Sequence, residues 1–139
     1  MPSLLSQIRT AVADRLETLE GVRAAEEWGD TINVSGNASA AIVQKGPSTY
    51  DSVMADQGDG TTVVIIMVAG RASERAARQK LDDFCDLDPD STTSVRNAVN
   101  GTLGGLVAWC TVTGDSEYRE YEIGEGQYLG CEFTVVVGT

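Results

Sequence analysis

Asp86, Asp88 and Asp90 form a D-x-D-x-D run, the spacing with which a calcium-binding loop presents its first carboxylates. The rest of such a loop is missing. Ser91 stands at the sixth position, where glycine makes the sharp turn, and Asn97 at the twelfth, where glutamate closes the shell. Pro89 also interrupts the run, which therefore reads as a solvated turn leading into a capped helix. Gly124, Gly126 and Gly130 have the look of a phosphate-cradling loop, but they fall between two strand-like segments. No helix N-terminus follows to receive an anion, so a hairpin turn is the simpler reading. Asp56 and Asp59 are a pair that carboxylate acid–base chemistry could use, yet Gly58 and Gly60 beside them favour a mobile loop. Nothing there supplies the burial that would drive their pKa values apart. Tyr118, Tyr121 and Tyr128 could stack on nucleic-acid bases. At strand spacing, and beside Glu117, Glu120 and Glu122, they read instead as cross-strand packing.

The chain has no histidine, which removes Ser-His-Asp and Cys-His mechanisms and almost all zinc chemistry. Its three cysteines, Cys85, Cys110 and Cys131, are odd in number and contain no CxxC, as expected of reduced core thiols made in a cytoplasm. Ten basic residues against twenty-one acidic ones give a formal charge of −11, which argues against a surface that grips nucleic acid. The same charge fits either a functional acidic surface or simple solubility. No apolar run approaches the ~20 residues of a membrane span, and the N-terminal segment lacks the apolar core of a signal peptide.

These residues are positioned by elements whose patterns are legible. Val63 to Val68 is an unbroken apolar run, placing Val63, Ile65 and Met67 on one face of a strand and Val64, Ile66 and Val68 on the other. Such a strand needs cover on both faces. Gly70 and Arg71 end it, and Ala77, Leu81, Phe84 and Cys85 then recur at helical spacing, giving a helix that covers one face. With few elements left for the other face, the pattern points to a core completed by assembly.

Elsewhere, Leu4, Leu5, Ile8, Val12, Leu16 and Leu19 predict an amphipathic helix over 3–20, capped by Ser3 and ended by Gly21. A short strand is expected within 22–28 and another over 38–44. A long loop is expected over 45–60, with some strand around 50–54. The segment 86–93 reads as a connector, 94–100 as a short helix, and 106–113, 118–123 and 128–137 as strands. In the last strand Cys131, Phe133, Val135 and Val137 share a face. The whole is a single α+β domain over residues 1–139: an N-terminal amphipathic helix, a mixed or antiparallel sheet with helices on one face, and a C-terminal antiparallel meander.

The succession VVIIMVAGRASERAARQKLDDF, STTSVRNAVNG, TLGGLVAWCTVTG and YLGCEFTVVV resembles the tail terminator family of long-tailed bacteriophages, especially the head-to-tail connector versions in phages of actinobacteria. The resemblance rests on the apolar strand running into the Arg-Ala-Ser helix, Ser94-Val95-Arg96, the Leu103-Gly104-Gly105 step and the closing Tyr128-Leu129-Gly130…Phe133 strand. It covers residues 38–137. The Asp86–Asp90 run and Cys110 beside Trp109 depart from the family pattern.

What the resemblance implies is a virion structural protein of the phage neck, assembled in the host cytoplasm. Six copies would form a homo-hexameric ring that caps the tail tube, stops its polymerisation and joins the head. Its partners would be its own copies, the tail tube protein and the connector or stopper proteins. DNA would pass through the lumen without specific binding, no membrane would be involved, and the family carries no catalytic residue, cofactor or metal. Surfaces expected to make contacts are the long loop, with Lys45, Gly46, Pro47, Asp56, Gln57, Gly58 and Asp59, and the strand positions Ile65 and Met67. Alternatives are an adaptor or stopper ring of the same neck and, more remotely, a small enzyme working through Asp56 and Asp59.

Overall fold

Ser3 caps the first helix, α1 (Leu4–Leu16), by accepting a hydrogen bond from the Ser6 amide over 3.1 Å. Ile8, Val12, Ala13 and Leu16 form its buried stripe. The helix is shorter than its periodicity predicts, because tight turn bonds from Thr18 to Arg15 and from Leu19 to Leu16 close it early. Leu19 still packs into the core from that turn. The computed structural model of the chain describes residues 3–19, 21–25, 39–49, 60–71, 75–123 and 126–138.

The elements that follow are β1 (Val22–Ala25), β2 (Ser39–Thr49), β3 (Gly60–Arg71), α2 (Arg75–Phe84), α3 (Val95–Val99), β4 (Trp109–Asp115), β5 (Arg119–Ile123) and β6 (Gly126–Gly138). They build a six-stranded sheet in the order β1-β2-β3-β6-β4, with β5 also paired to β6. β1 lies parallel to β2, and every other pairing is antiparallel. The fold is α+β. β6 is its hub: one edge pairs with β3 along nearly its whole length, while the other takes β5 at its start and β4 at its end.

All three helices pack on one face of the sheet. There Ala41, Val43, Val63, Ile65, Met67, Cys131, Phe133, Val135 and Val137 meet Leu16 of α1, Leu81 and Phe84 of α2, and Val95 and Val99 of α3. Burying each large aliphatic side chain contributes about 1.5–3 kcal/mol, so this layer supplies most of the hydrophobic stabilisation. On the opposite face Ala40, Ile42, Ile66 and Val68 form a smaller buried cluster, with Val64, Tyr121 and Tyr128 packed against it.

One sequence expectation is corrected here. Ile65 and Met67 were candidates for contact with other subunits, yet each is 0% exposed in the helical layer and presents no surface to a partner. On the opposite face Ile42 and Val68 are also 0% exposed within the single chain.

The predicted loop over 45–60 is also corrected at its start, where β2 continues to Thr49. Gly46-Pro47 reads as a turn but forms a bulge: Lys45 pairs with Val63 and Ser48 with Thr61, so two residues of β2 oppose Thr62 alone. Proline has no N–H to give a ladder and is tolerated at such a point. At Gly46 an added Cβ would lie 3.1 Å from both the Thr62 methyl and its carbonyl oxygen, so any larger residue would have to press Thr62 aside by a few tenths of an ångström.

Strand β4 begins at Trp109 rather than Leu106, because Leu103, Gly104 and Gly105 take left-handed φ values of 51°, 71° and 92°. Thr102 holds this turn, its carbonyl accepting from the Gly105 and Val107 amides.

Candidate functional site

The longest irregular segment within the described residues runs from Cys85 to Ser94 between α2 and α3, and it is held by side chains of α3. Ser94 caps α3 through the Asn97 amide at 3.3 Å. Asn97 turns its side chain back, Nδ2 donating to the carbonyl oxygens of Asp88 at 2.9 Å and Ser91 at 3.1 Å. Arg96 donates to the Leu87 carbonyl over 3.2 Å. The connector is therefore a fixed projection, and at its tip Leu87 is 80% exposed.

The three aspartates of this connector do not converge. Asp86 Oδ1 accepts from the Asp88 amide at 3.1 Å, and Asp88 Oδ1 accepts from the Asp90 amide at 3.0 Å. Each carboxylate thus folds onto the next turn of backbone, the hydrogen bond that makes aspartate a good turn residue. Among the described residues no group of three or more His, Cys, Asp or Glu is placed to hold a metal ion.

Behind the projection lies a cleft of about 250 Å³, walled by Phe84, Cys85 and Leu87 on one side and by Gly114, Asp115 and Phe133 on the other. The neighbouring Cys131 side chain holds the half-buried Cys85 thiol below its usual pKa, against the opposing effects of burial and the Asp115 carboxylate. Cys85, with burial, pushes Cys131 up in turn. Beside them the Tyr118 hydroxyl donates to the Asp82 carboxylate, and Tyr118 is held protonated chiefly by burial and then by that bond. A second cleft, of about 360 Å³, opens between the end of α1 and α2, lined by Leu19, Lys80, Asp83 and Thr93 among others.

The sheet's far edge is the other distinctive surface. On β4 the Cys110 amide and carbonyl both pair with Gly101, and Asn100 accepts from the Val112 amide at 2.7 Å. The start of this edge strand is thereby covered. Ser116 carries the ladder across the gap to β5: its amide donates to the Glu132 carbonyl at 2.8 Å, and its hydroxyl accepts from the Glu132 amide at 2.9 Å. On β5 Arg119, Glu120 and Glu122 are exposed, so this edge is charged. Trp109, 48% exposed, lies over Gly138, where no Cβ would fit.

The sequence-stated candidates separate accordingly. Lys45 is exposed on β2, its Nζ donating to the Gly46 carbonyl, and Gly46 and Pro47 form the bulge. Asp56, Gln57, Gly58 and Asp59 lie outside the described residues, as does Gly124. Gly126 and Gly130 are strand residues of β6, not a phosphate loop. Tyr121 pairs with Tyr128 across β5 and β6, as cross-strand packing requires.

Sequence reasoning missed the Asn97 anchor, which joins α3 to the connector before it. No model of a known protein family matches this sequence, and no curated protein matches it.

Proposed function

We propose that this chain is a structural ring subunit of a phage neck, a tail terminator that caps the tail tube and forms the joint with the head. The observation that carries the reading is the ordered run of segments from Val63 to Val137 that resembles the terminator family. Those segments supply β3, α2, α3, β4 and β6, the contiguous middle of the fold. A sheet with helices on one face and a charged outer strand is a shape that can stand beside copies of itself. The subunit contacts then fall to exposed features: the charged edge of β5, Trp109, Leu4 and the Leu87 projection.

Six copies at −11 each carry −66, and part of that charge lines the channel. Like charge between wall and phosphate lets DNA pass without holding it, and a channel narrower than a few screening lengths of ~8–10 Å still feels the effect.

Electron microscopy of the purified protein, alone and with tail tubes, tests the reading. Six-fold rings seated on tube ends are the expected result. Rings of another symmetry would favour an adaptor or stopper, and a monomer indifferent to tubes would overturn the proposal. A filter-binding assay at moderate salt should find no DNA affinity for the ring. Tight binding would remove the acidic-channel part of the reading.

A further inference from the structure

We propose that the outer edge of β5 docks an extended segment of a different protein, one that carries lysine or arginine at every second residue, and adds it to the sheet as a further strand. β5 pairs with β6 on one side, and no described strand lies on the other. The ladder shows which backbone groups are left over. The amide and carbonyl of Glu132 both turn toward this side of β6, where they meet Ser116. Bonding direction alternates along an antiparallel strand, so Gly130, Tyr128 and Gly126 turn the same way and bond Arg119, Tyr121 and Ile123 opposite them. The N–H and C=O of Glu120 and Glu122 therefore point off the sheet, a row of donors and acceptors with which an extended chain can pair.

The side chains state what that chain must carry. Tyr121 packs against the cluster on the face away from the helices, so by alternation Glu120 and Glu122 stand on the helical side. Both are exposed. Asp82 of α2 adds a third carboxylate on that side, where it accepts from the Tyr118 hydroxyl. A strand laid along the edge sets its own alternate side chains opposite the two glutamates, and cations there form favourable cross-strand pairs. The residue between those cations falls beside Tyr121, where an apolar side chain suits the ring.

A second copy of this chain does not fit as that strand. Pairing β5 with its own copy about a two-fold axis sets Glu120 against Glu122, and a shift of two residues sets one glutamate against itself. Like charges directly opposite destabilise a ladder. The other described strands hold at most one basic residue each: Arg23 in β1, Lys45 in β2 and Arg71 in β3. In the whole sequence the only basic residues two apart are Arg78 and Lys80, and these belong to α2. Copies of the chain can still abut this edge through side chains, but extension of the sheet is left to a basic partner. The inference goes beyond the ring reading and holds for a free subunit as well.

The test uses the whole chain and three capped, fluorescein-labelled pentapeptides: Lys-Val-Lys-Val-Lys, Glu-Val-Glu-Val-Glu, and the lysine peptide with its lysine backbone amides N-methylated. Anisotropy should rise with the first peptide alone. Deuterium exchange measured with that peptide should slow over residues 119–123 and nowhere else. Glu120→Gln/Glu122→Gln, a change at two exposed positions, should leave the melting temperature unchanged and weaken binding by about tenfold. Equal binding by the N-methylated peptide would reduce the effect to general attraction by a chain of charge −11. Binding that survives the glutamine changes would place the site elsewhere, and concentration-dependent protection of 119–123 in the chain alone would give the edge to a second copy. Each of these outcomes overturns the proposal, as does a lysine peptide that fails to bind at millimolar concentration.

Discussion

Asn97 anchors Asp88: its amide nitrogen donates to the Asp88 carbonyl oxygen over 2.9 Å and, with its second hydrogen, to Ser91 at 3.1 Å. One side chain of α3 thus fixes both halves of the turn that carries Leu87. Asn97→Ala removes two side-chain hydrogen bonds and should lower stability by about 1–3 kcal/mol. Urea unfolding measures the loss. Hydrogen exchange should quicken over residues 86–93 before it does in the sheet. A uniform change, or none, would mean that the anchor does not hold the connector.

Asp88 itself should matter little to a cation. Its Oδ1 accepts from the Asp90 amide, which asparagine can also satisfy. Asp88→Asn is expected to leave the melting temperature within a degree or two of the parent, with or without millimolar calcium, because such surface changes are usually within about 0.5 kcal/mol. A calcium-dependent rise in melting temperature that this substitution abolishes would revive the metal reading of the D-x-D-x-D run.

At Ile65 burial decides the outcome. The side chain is 0% exposed between the sheet and the helices. Ile65→Asp places an unpaired charge there and should yield no folded protein. Ile65→Val removes one methylene and should cost about 0.5–1.5 kcal/mol in equilibrium unfolding. A folded, assembly-defective Ile65→Asp protein would instead return this residue to the subunit interface.

Gly130 lies where β3 and β6 come closest to β5. An added Cβ would sit 2.5 Å from the Met67 carbonyl oxygen and 3.0 Å from the Tyr121 ring. The carbonyl belongs to backbone and cannot swing aside, so Gly130→Ala should destabilise by about 1–3 kcal/mol, as overpacking does. Gly114→Ala is the control, since nothing lies within 4 Å of its Cβ position. Equal losses at the two glycines would count against a steric cause.

Tyr121 should titrate late. Burial, then the nearby Glu132 carboxylate, pushes its phenol up to about 12. Raised above the unfolded value, it contributes stability that is fully present below pH ~10 and is lost as pH rises toward 12. In Tyr121→Phe the alkaline unfolding limb should shift to higher pH, read by circular dichroism. An unchanged limb would show that other groups govern alkaline unfolding.

Local periodicity carried much of this architecture. Ala77, Leu81 and Phe84 marked one face of α2, and Cys131, Phe133, Val135 and Val137 alternated as β6 requires. Ser3 and Ser94 announced two helix starts. What local pattern could not supply was pairing between distant segments. Gly46-Pro47 has the composition of a turn, and only Thr62 across the ladder makes it a bulge. Met67 looked free to meet a partner because the depth of the helical layer above it is a property of three separate helices.

The position of β6 at the hub has a consequence for how the chain is made. β6 emerges from the ribosome after every other described element, yet β3, β4 and β5 all take their neighbour from it. Until it arrives, β3 has only β2 beside it, and neither β4 nor β5 has a strand to join. Such late, long-range pairing is slow and leaves apolar strand edges open in the interim. Synthesis order thus acts as a timer: no nascent chain can offer the finished β5 edge to a neighbour before β6 has been translated.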